Sequence, residues 1–295
     1  MKIEKKAYAK LNLGLDITGR REDGYHLVRM IMQTIDLYDV LTFEKTDEPG
    51  VKLSLSEDST IPDAVRMPLD ERNLIVKAAR KMMDRYGITE GVSITLVKDI
   101  PMEAGMAGGS TDCAATLRGI AELFELPVSE EELREIGVTL GADVPYCIMG
   151  GTALSEGIGE ILTPLTPLPD CRFIIIKPSF GASTKEVYGA YDRLPPEVIR
   201  HPDIDGMVQA LEQKDLTGVM SRLGNVLEQV TAEMHPEIQT IEQLLRDEGV
   251  SSTIMTGSGP TVFGMYPEGK GIGSDLLTFK EKLGNRGITA GVYLV

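Results

Sequence analysis

Apolar and polar side chains alternate through residues 7–15. Ala7, Ala9, Leu11, Leu13 and Leu15 fall on one face; Tyr8, Lys10, Asn12 and Gly14 fall on the other. A period of two predicts a strand buried on one side. Arg20-Arg21-Glu22-Asp23-Gly24 reads as a charged turn with an Asp-Gly signal, and Met30–Leu37 and Val40–Glu44 read as two further strands. Over 73–86 the spacing changes: Leu74, Ala78 and Met82 recur every fourth residue and predict a helix. Val92, Ile94 and Leu96 alternate again as a strand that runs into Pro101. Behind Gly108-Gly109-Ser110 a second helix carries Ala114, Leu117, Ala121 and Phe124 at core spacing. Ser129, with Glu132 three residues on, forms a capping box that opens a third helix ending near Gly141.

Pro164, Pro167 and Pro169 crowd one short stretch, which predicts a linker and two domains, 1–163 and 164–295. Beyond it come a strand at Cys171–Lys177 and a helix at Ser183–Leu194, opened by a second capping box in Ser183 and Glu186. Helices follow across 205–247, then strands at Thr253–Thr256 and Thr261–Tyr266, a helix at Gly273–Leu283 and a strand at Ile288–Leu294. Without its inserted helices this half reads β-α-β-β-α-β, the ferredoxin-like order. The fold class expected is therefore α+β.

Composition narrows the partners. The chain has 295 residues, 42% hydrophobic and 25% charged, as an ordinary soluble globular protein does. A net charge of −15 with no Lys/Arg run argues against nucleic acid and against an anionic membrane. A phosphorylated ligand would then depend on local donors and a divalent cation. The three cysteines, Cys113, Cys147 and Cys171, are isolated, and with three histidines no zinc constellation forms. The first residues lack an apolar signal region and no apolar run approaches a membrane span, so a reduced, cytoplasmic protein is expected.

The most informative segment is 100–117. Gly105, Gly108, Gly109 and Ser110 lie between a strand and a helix. Glycines let the backbone approach a ligand, and the helix behind them turns free N–H groups and its positive dipole end toward the loop, an arrangement suited to phosphate. The plainer alternative is a Gly-rich turn with Ser110 as N-cap. There is no Walker A motif and no strand-linked G-x-G-x-x-G. The order Pro101-x-x-x-Gly105-x-Ala107-Gly108-Gly109-Ser110-Thr111 does resemble the phosphate loop of the GHMP kinases, with Met106 where that family usually has Leu. Ala9–Leu13, Asp23–His26, Leu140–Pro145 and Thr256–Thr261 occur in order around it. Together these segments span nearly the whole chain and look like the branch of the family that acts on a cytidyl alcohol.

The resemblance implies a ribosomal protein S5 domain 2-like N-terminal domain and a ferredoxin-like C-terminal one. It implies ATP- and Mg²⁺-dependent phosphorylation of the C2 hydroxyl of a diphosphocytidyl methylerythritol, a small-molecule substrate of isoprenoid precursor biosynthesis. Asp143 becomes the general base and Lys10 its cationic neighbour; by themselves, the first reads as a turn former and the second as a solvated strand charge. Pro101, Met102, Glu103, Ala104, Gly105, Met106, Ala107, Gly108, Gly109, Ser110 and Thr111 would wrap the ATP phosphates, with Ser110 or Thr111 offering a hydroxyl to phosphate or Mg²⁺. Asn73 and Lys98 match positions near adenine and ribose, although each equally suits a helix cap or a surface charge. On the acceptor side stand Asn12, the Tyr25 and Tyr188 rings that sandwich cytosine, His26 at the base edge, and Gly257-Ser258-Gly259. Tyr188 suits core packing equally well, and Asp112, in the first turn of a phosphate-binding helix, has no assigned task. Another GHMP kinase, for mevalonate or homoserine, and a non-catalytic S5-like binding module are the alternative readings. Monomer and homodimer are both open.

Overall fold

The N-terminal alternation extends well beyond residues 7–15. In the computed structural model, which describes residues 2–250, 252–271 and 273–295, β1 runs Lys2–Arg20 and β2 runs His26–Thr46. The turn joining them is closed by Arg21 N–H donating to the Tyr25 carbonyl at 2.7 Å, with Gly24 at φ +90°. Two strands were expected within residues 30–44, and one is found. The apparent break is Asp39, a charged residue that stays in the strand because its carboxylate is fully engaged inside the protein.

The chain gathers into two compact units that interleave in sequence. One comprises Met1–Lys10, Thr34–Met102 and Ala107–Gly150; the other comprises Leu11–Gln33, Glu103–Met106 and Gly151–Val295.

The first unit adds β3 (Val51–Leu55), α1 (Leu74–Tyr86), β4 (Gly91–Val97), α2 (Gly108–Leu123), α3 (Glu130–Val138) and α4 (Val144–Met149). Its strands lie in the order β3-β4-β2-β1, with Leu53 and Phe43 both registered against Ile94 of β4. Helices cover one face and bury Ile75, Met82, Leu117 and Ile120 with Phe43, Ile94 and Leu96. Burying side chains of this size contributes roughly 1.5–3 kcal/mol each. At Gly119 a Cβ would come within 2.6 Å of the Phe43 ring, so a residue that weakens a helix by about 1 kcal/mol is what lets α2 sit this close to the sheet. Asn73 and Ser129 cap α1 and α3 by accepting from the Ile75 and Glu132 amides.

The second unit continues with β5 (Thr152–Glu156), β6 (Ile161–Pro164), β7 (Cys171–Pro178), α5 (Thr184–Tyr191), α6 (Ile204–Glu212), α7 (Leu216–Met220), β8 (Gly224–Asn225), α8 (Glu228–Met234), α9 (Glu237–Asp247), β9 (Ser252–Met255), β10 (Val262–Pro267), α10 (Leu276–Gly284) and β11 (Ala290–Leu294). The strands β11-β7-β10-β9 form an antiparallel sheet in the order that a β-α-β-β-α-β chain produces. The Gly14–Leu15 part of β1 pairs in parallel with β8, which is too short to show a periodicity. The expectation that β1 is buried on one face only is corrected here. Asn12 is fully buried, and a Cβ on Gly14 would press into Ile204 of α6 at 2.6 Å, so the polar-looking face of this strand is also covered. Among the described residues no helix is long and apolar enough to cross a membrane.

Glu228 opens α8 and accepts the Met255 amide at 2.7 Å beside Glu242 of α9. Burial, and then the charge of Glu242, push its carboxyl up to about 8. The native protein therefore keeps a proton that the unfolded chain releases near pH 4.5, and stability should fall as pH rises from about 4.5 to about 8. Thermal melts across that window should show a declining Tm, and Glu228→Gln should flatten the decline. Parallel curves for the two proteins would exclude Glu228 as its source.

Candidate active site

The first unit holds the phosphate-type loop ends and the two charged residues singled out from the sequence. Helix α2 begins at Gly108. Ala107, at φ +57°, occupies the cap position without offering a side chain, and the first helical bond runs from the Thr111 amide to the Ala107 carbonyl. Ser110 is therefore inside the first turn and is not the N-cap that the plainer reading required. Its hydroxyl is released from capping, and the Gly108, Gly109 and Ser110 amides precede the first intrahelical bond, which is the anion-binding geometry of a helix start. A Cβ added to Gly109 would meet only Leu74, at 3.9 Å, whereas one on Gly108 would stand 3.1 Å from Lys98 Nζ and 3.2 Å from Ile100. Packing alone leaves room for a side chain at Gly109.

Lys10 is 4% exposed despite its charge. Asp143 immediately precedes α4, its carbonyl accepting the Cys147 amide at 3.0 Å and its carboxylate capping nothing. Both charges act on the Cys147 thiol. Burial and then the Asp143 carboxylate push that thiol up, the Lys10 ammonium opposes them, and Thr111 hydrogen-bonds to it. Lys10, Thr111 and Asp143 thus all act on one half-buried group. The turn before Asp143 also lies beside α2, because a Cβ on Gly141 would be 3.8 Å from Ser110 Oγ.

Asn73 and Lys98 are both engaged with the protein itself. Asn73 accepts from the Ile75 amide at 2.9 Å and donates to the Pro68 carbonyl at 2.8 Å, so its side chain acts as a helix cap. Lys98 is no surface charge: 3% exposed, it ion-pairs with Asp39 and, at 2.8 Å, with Asp112. The odd carboxylate in the first turns of α2 thereby finds its partner. Burial, followed by the charge of Asp112, raises the Asp39 pKa. Burial works against the Lys98 ammonium, yet Asp112 and Asp39 together carry its pKa above the ordinary lysine value.

The second unit holds the residues expected on the acceptor side. The Asn12 amide donates to Thr256 Oγ1 at 2.9 Å, and Gly105, at φ +68°, packs backbone to backbone on the 256–257 segment, where a Cβ on Gly257 would lie 3.0 Å from the Gly105 carbonyl. Asn225 Nδ2 donates to both the Met255 and Gly257 carbonyls at 2.8 Å, and Ser258 Oγ shares a 3.0 Å bond with Thr184 Oγ1. The glycine turn at 257–259 is therefore held from several sides. His26 bonds through Nε2 to Asp192 at 2.6 Å and packs its ring on Tyr188, with centroids 4.7 Å apart. Tyr25, next in the chain, is 60% exposed.

Sequence reasoning missed Asp39, Asp192 and Asn225. For Asp39 the signal was an acid within an apolar strand, which needs an internal partner if the strand continues. Asp192 ends α5, where a carboxylate opposes the helix dipole unless cations answer it; Arg20, at 3.2 Å, and His26 do so. Nothing around Asn225 marks it in the sequence.

Residues 73–151 match the GHMP kinases N terminal domain, and residues 204–272 match GHMP kinases C terminal. The chain is 47% identical over 266 residues to a Clostridium perfringens protein named 4-diphosphocytidyl-2-C-methyl-D-erythritol kinase, covering 90% of this chain and 89% of the relative. A Bacillus subtilis protein of the same name is 48% identical over 265 residues, covering 90% and 88%. A crystal structure of 4-(cytidine 5'-diphospho)-2C-methyl-D-erythritol kinase superposes with a TM-score of 0.78 at 30% identity, covering 99% of this chain and 98% of that one. With both family domains matched and near half-identity along nine-tenths of its length, the chain belongs to the GHMP kinases.

Proposed function

We propose that this kinase transfers the γ-phosphoryl group of ATP to the C2 hydroxyl of 4-diphosphocytidyl-2-C-methyl-D-erythritol. The observation that carries the reading is the convergence of the Lys10 ammonium and the Asp143 carboxylate on the partly buried Cys147 thiol, beside a helix start of phosphate-binding geometry. Phosphoryl transfer requires those parts: a cradle for the phosphates, a cation for the developing charge, and a group that orients and deprotonates the hydroxyl. Asp143 accepts the hydroxyl proton. Lys10 holds Asp143 in place and stabilises the forming alkoxide and the charge on the transferring group. A carboxylate is a weak base toward an alcohol, so positioning and charge stabilisation supply most of the rate.

The Gly108–Ser110 amides hold the nucleotide phosphates. Oxygen donors suit Mg²⁺, which keeps several waters and binds through few protein groups and substrate phosphates. The Ser110 hydroxyl, released from capping, fits that role together with the phosphates, and no set of three or more His, Cys, Asp or Glu that could cage a metal occurs among the described residues. When bound, Mg²⁺ neutralises phosphate charge.

On the acceptor side His26 reads the cytosine. Its Nε2 is paired with Asp192, which leaves Nδ1 as the ring nitrogen available to the edge of the base. Tyr25 and Tyr188 stack on the ring. Asn12 and the 257–259 turn complete the acceptor site. The two domains, 1–163 and 164–295, belong to the same reading. A cytoplasmic setting is supported by the free cysteines, which suit a reducing compartment.

A coupled assay comparing the cytidyl alcohol with mevalonate, homoserine and galactose tests the substrate; turnover of one of the others in preference would overturn it. Tyr25→Ala, at an exposed position that the core does not need, should raise KM for the cytidyl alcohol about five- to 150-fold, from roughly 1–3 kcal/mol of lost stacking, with kcat and KM for ATP nearly unchanged. A shift in KM for ATP instead would assign the ring to the wrong nucleotide.

A further inference from the structure

We infer that Asp39 and Lys98 act as positioning residues that staple the two ends of the phosphate loop together, so that its anion site is formed before ATP arrives. The inference rests on the kinase reading above and assigns a task to three buried charged residues that the chemistry itself does not use.

One oxygen of Asp39 accepts the amides of Asp99 and Ile100, at 2.6 and 2.8 Å. These are the two residues immediately before Pro101, where β4 has ended and the loop begins. The other oxygen takes Lys98 Nζ. The same ammonium donates to Asp112 at 2.8 Å, in the second turn of α2, and lies 3.1 Å from where a Cβ on Gly108, the first residue of that helix, would stand. Three groups thus join the loop entrance to the helix start through two charge-assisted bonds and two backbone bonds. The second oxygen of Asp112 is buried and has no hydrogen-bond partner among the described residues, so Lys98 is what ties down that carboxylate.

A network placed for stability alone could sit anywhere in the core. This one closes on both ends of the segment whose backbone must be held for phosphate to bind. Fixing a binding site in its bound geometry improves affinity by sparing the cost of ordering it during binding. Lys98 and Asp39 act through the loop, and their removal should therefore appear in nucleotide affinity and not in acceptor affinity. Buried bonds between charged groups are also those in which loss of one partner costs most.

The test compares Lys98→Met with Asp112→Asn, which keeps an oxygen for the Lys98 ammonium. Direct titration with ATP should show affinity at least 10-fold weaker for Lys98→Met and within about threefold of the parent for Asp112→Asn. KM for the cytidyl alcohol should change less than about twofold in both. Equal loss of both affinities in Lys98→Met, or no loss of ATP affinity, would overturn the staple. Hydrogen exchange on the unmodified, nucleotide-free protein decides the matter even if Lys98→Met fails to fold. The Asp99 and Ile100 amides should already be as protected as those of β4, and fast exchange there until ATP is added would refute a preformed loop. Failure of the unmodified protein to bind ATP at all would overturn the kinase reading, a result separate from either of these.

Discussion

Asp143→Asn should lower kcat by about 10²–10⁴-fold, the range that a positioned general base contributes, while ATP affinity stays close to that of the parent. The replacement is nearly isosteric, and the fold makes little use of the carboxylate: it caps no amide of α4, and the bond that Asp143 does make to Cys147 comes from its carbonyl. Lost activity should therefore not be lost structure, and Tm should barely change. Asn cannot take a proton from the acceptor hydroxyl. Removing an interaction made mainly in the transition state lowers kcat and kcat/KM together. Steady-state kinetics with the cytidyl alcohol and a binding titration with ATP on the same preparation check both halves. Near-normal kcat would remove Asp143 from the role of base.

Gly109→Val should weaken ATP binding by about 100-fold, corresponding to the loss of one or two hydrogen bonds to a charged group at roughly 1.5–3 kcal/mol each, with the fold intact. The surroundings make this position the cleaner test of the two glycines. Its φ is not positive, and the nearest atom to an added Cβ is Leu74 Cδ1 at 3.9 Å, so the protein itself tolerates a side chain there. What a Val would obstruct is the space in front of the α2 amides, where phosphate must come close to the backbone. At Gly108 the same change would also press on Lys98 and Ile100 and blur the result. Circular dichroism should be unchanged while nucleotide titration shows the loss. Parent-like affinity in Gly109→Val would mean that phosphate does not approach through this glycine.

Much of this molecule is determined locally and so can be read from the chain. The period of two in β1, the capping boxes at Ser129 and Ser183, and the four-residue spacing of Leu74, Ala78 and Met82 produce their elements because neighbouring residues decide φ, ψ and capping. The same holds for the order β-α-β-β-α-β behind Cys171, and for the Gly-rich loop that leads into a helix. Lys10, Asp143, Tyr25 and His26 were marked through the resemblance of their segments to the GHMP kinases; taken singly, Lys10 reads as a solvated strand charge and Asp143 as a turn former.

Tertiary structure alone decided how charges and polar groups are met. Asp39 looks like the end of a strand when only its neighbours are seen; its partners lie about sixty residues away, and once they are present the strand runs through. Lys98 reads as a surface charge because a single lysine is too costly to bury, and it is buried here because two carboxylates arrive from separate elements. Asn12 looks exposed by alternation, but the Gly14 position beside it admits α6 and Thr256 accepts its amide. Asp192 reaches His26 across 166 residues of chain. A sequence pattern records which side chains avoid water. Which polar groups satisfy one another away from water depends on distant segments meeting, and only the folded chain brings those segments together.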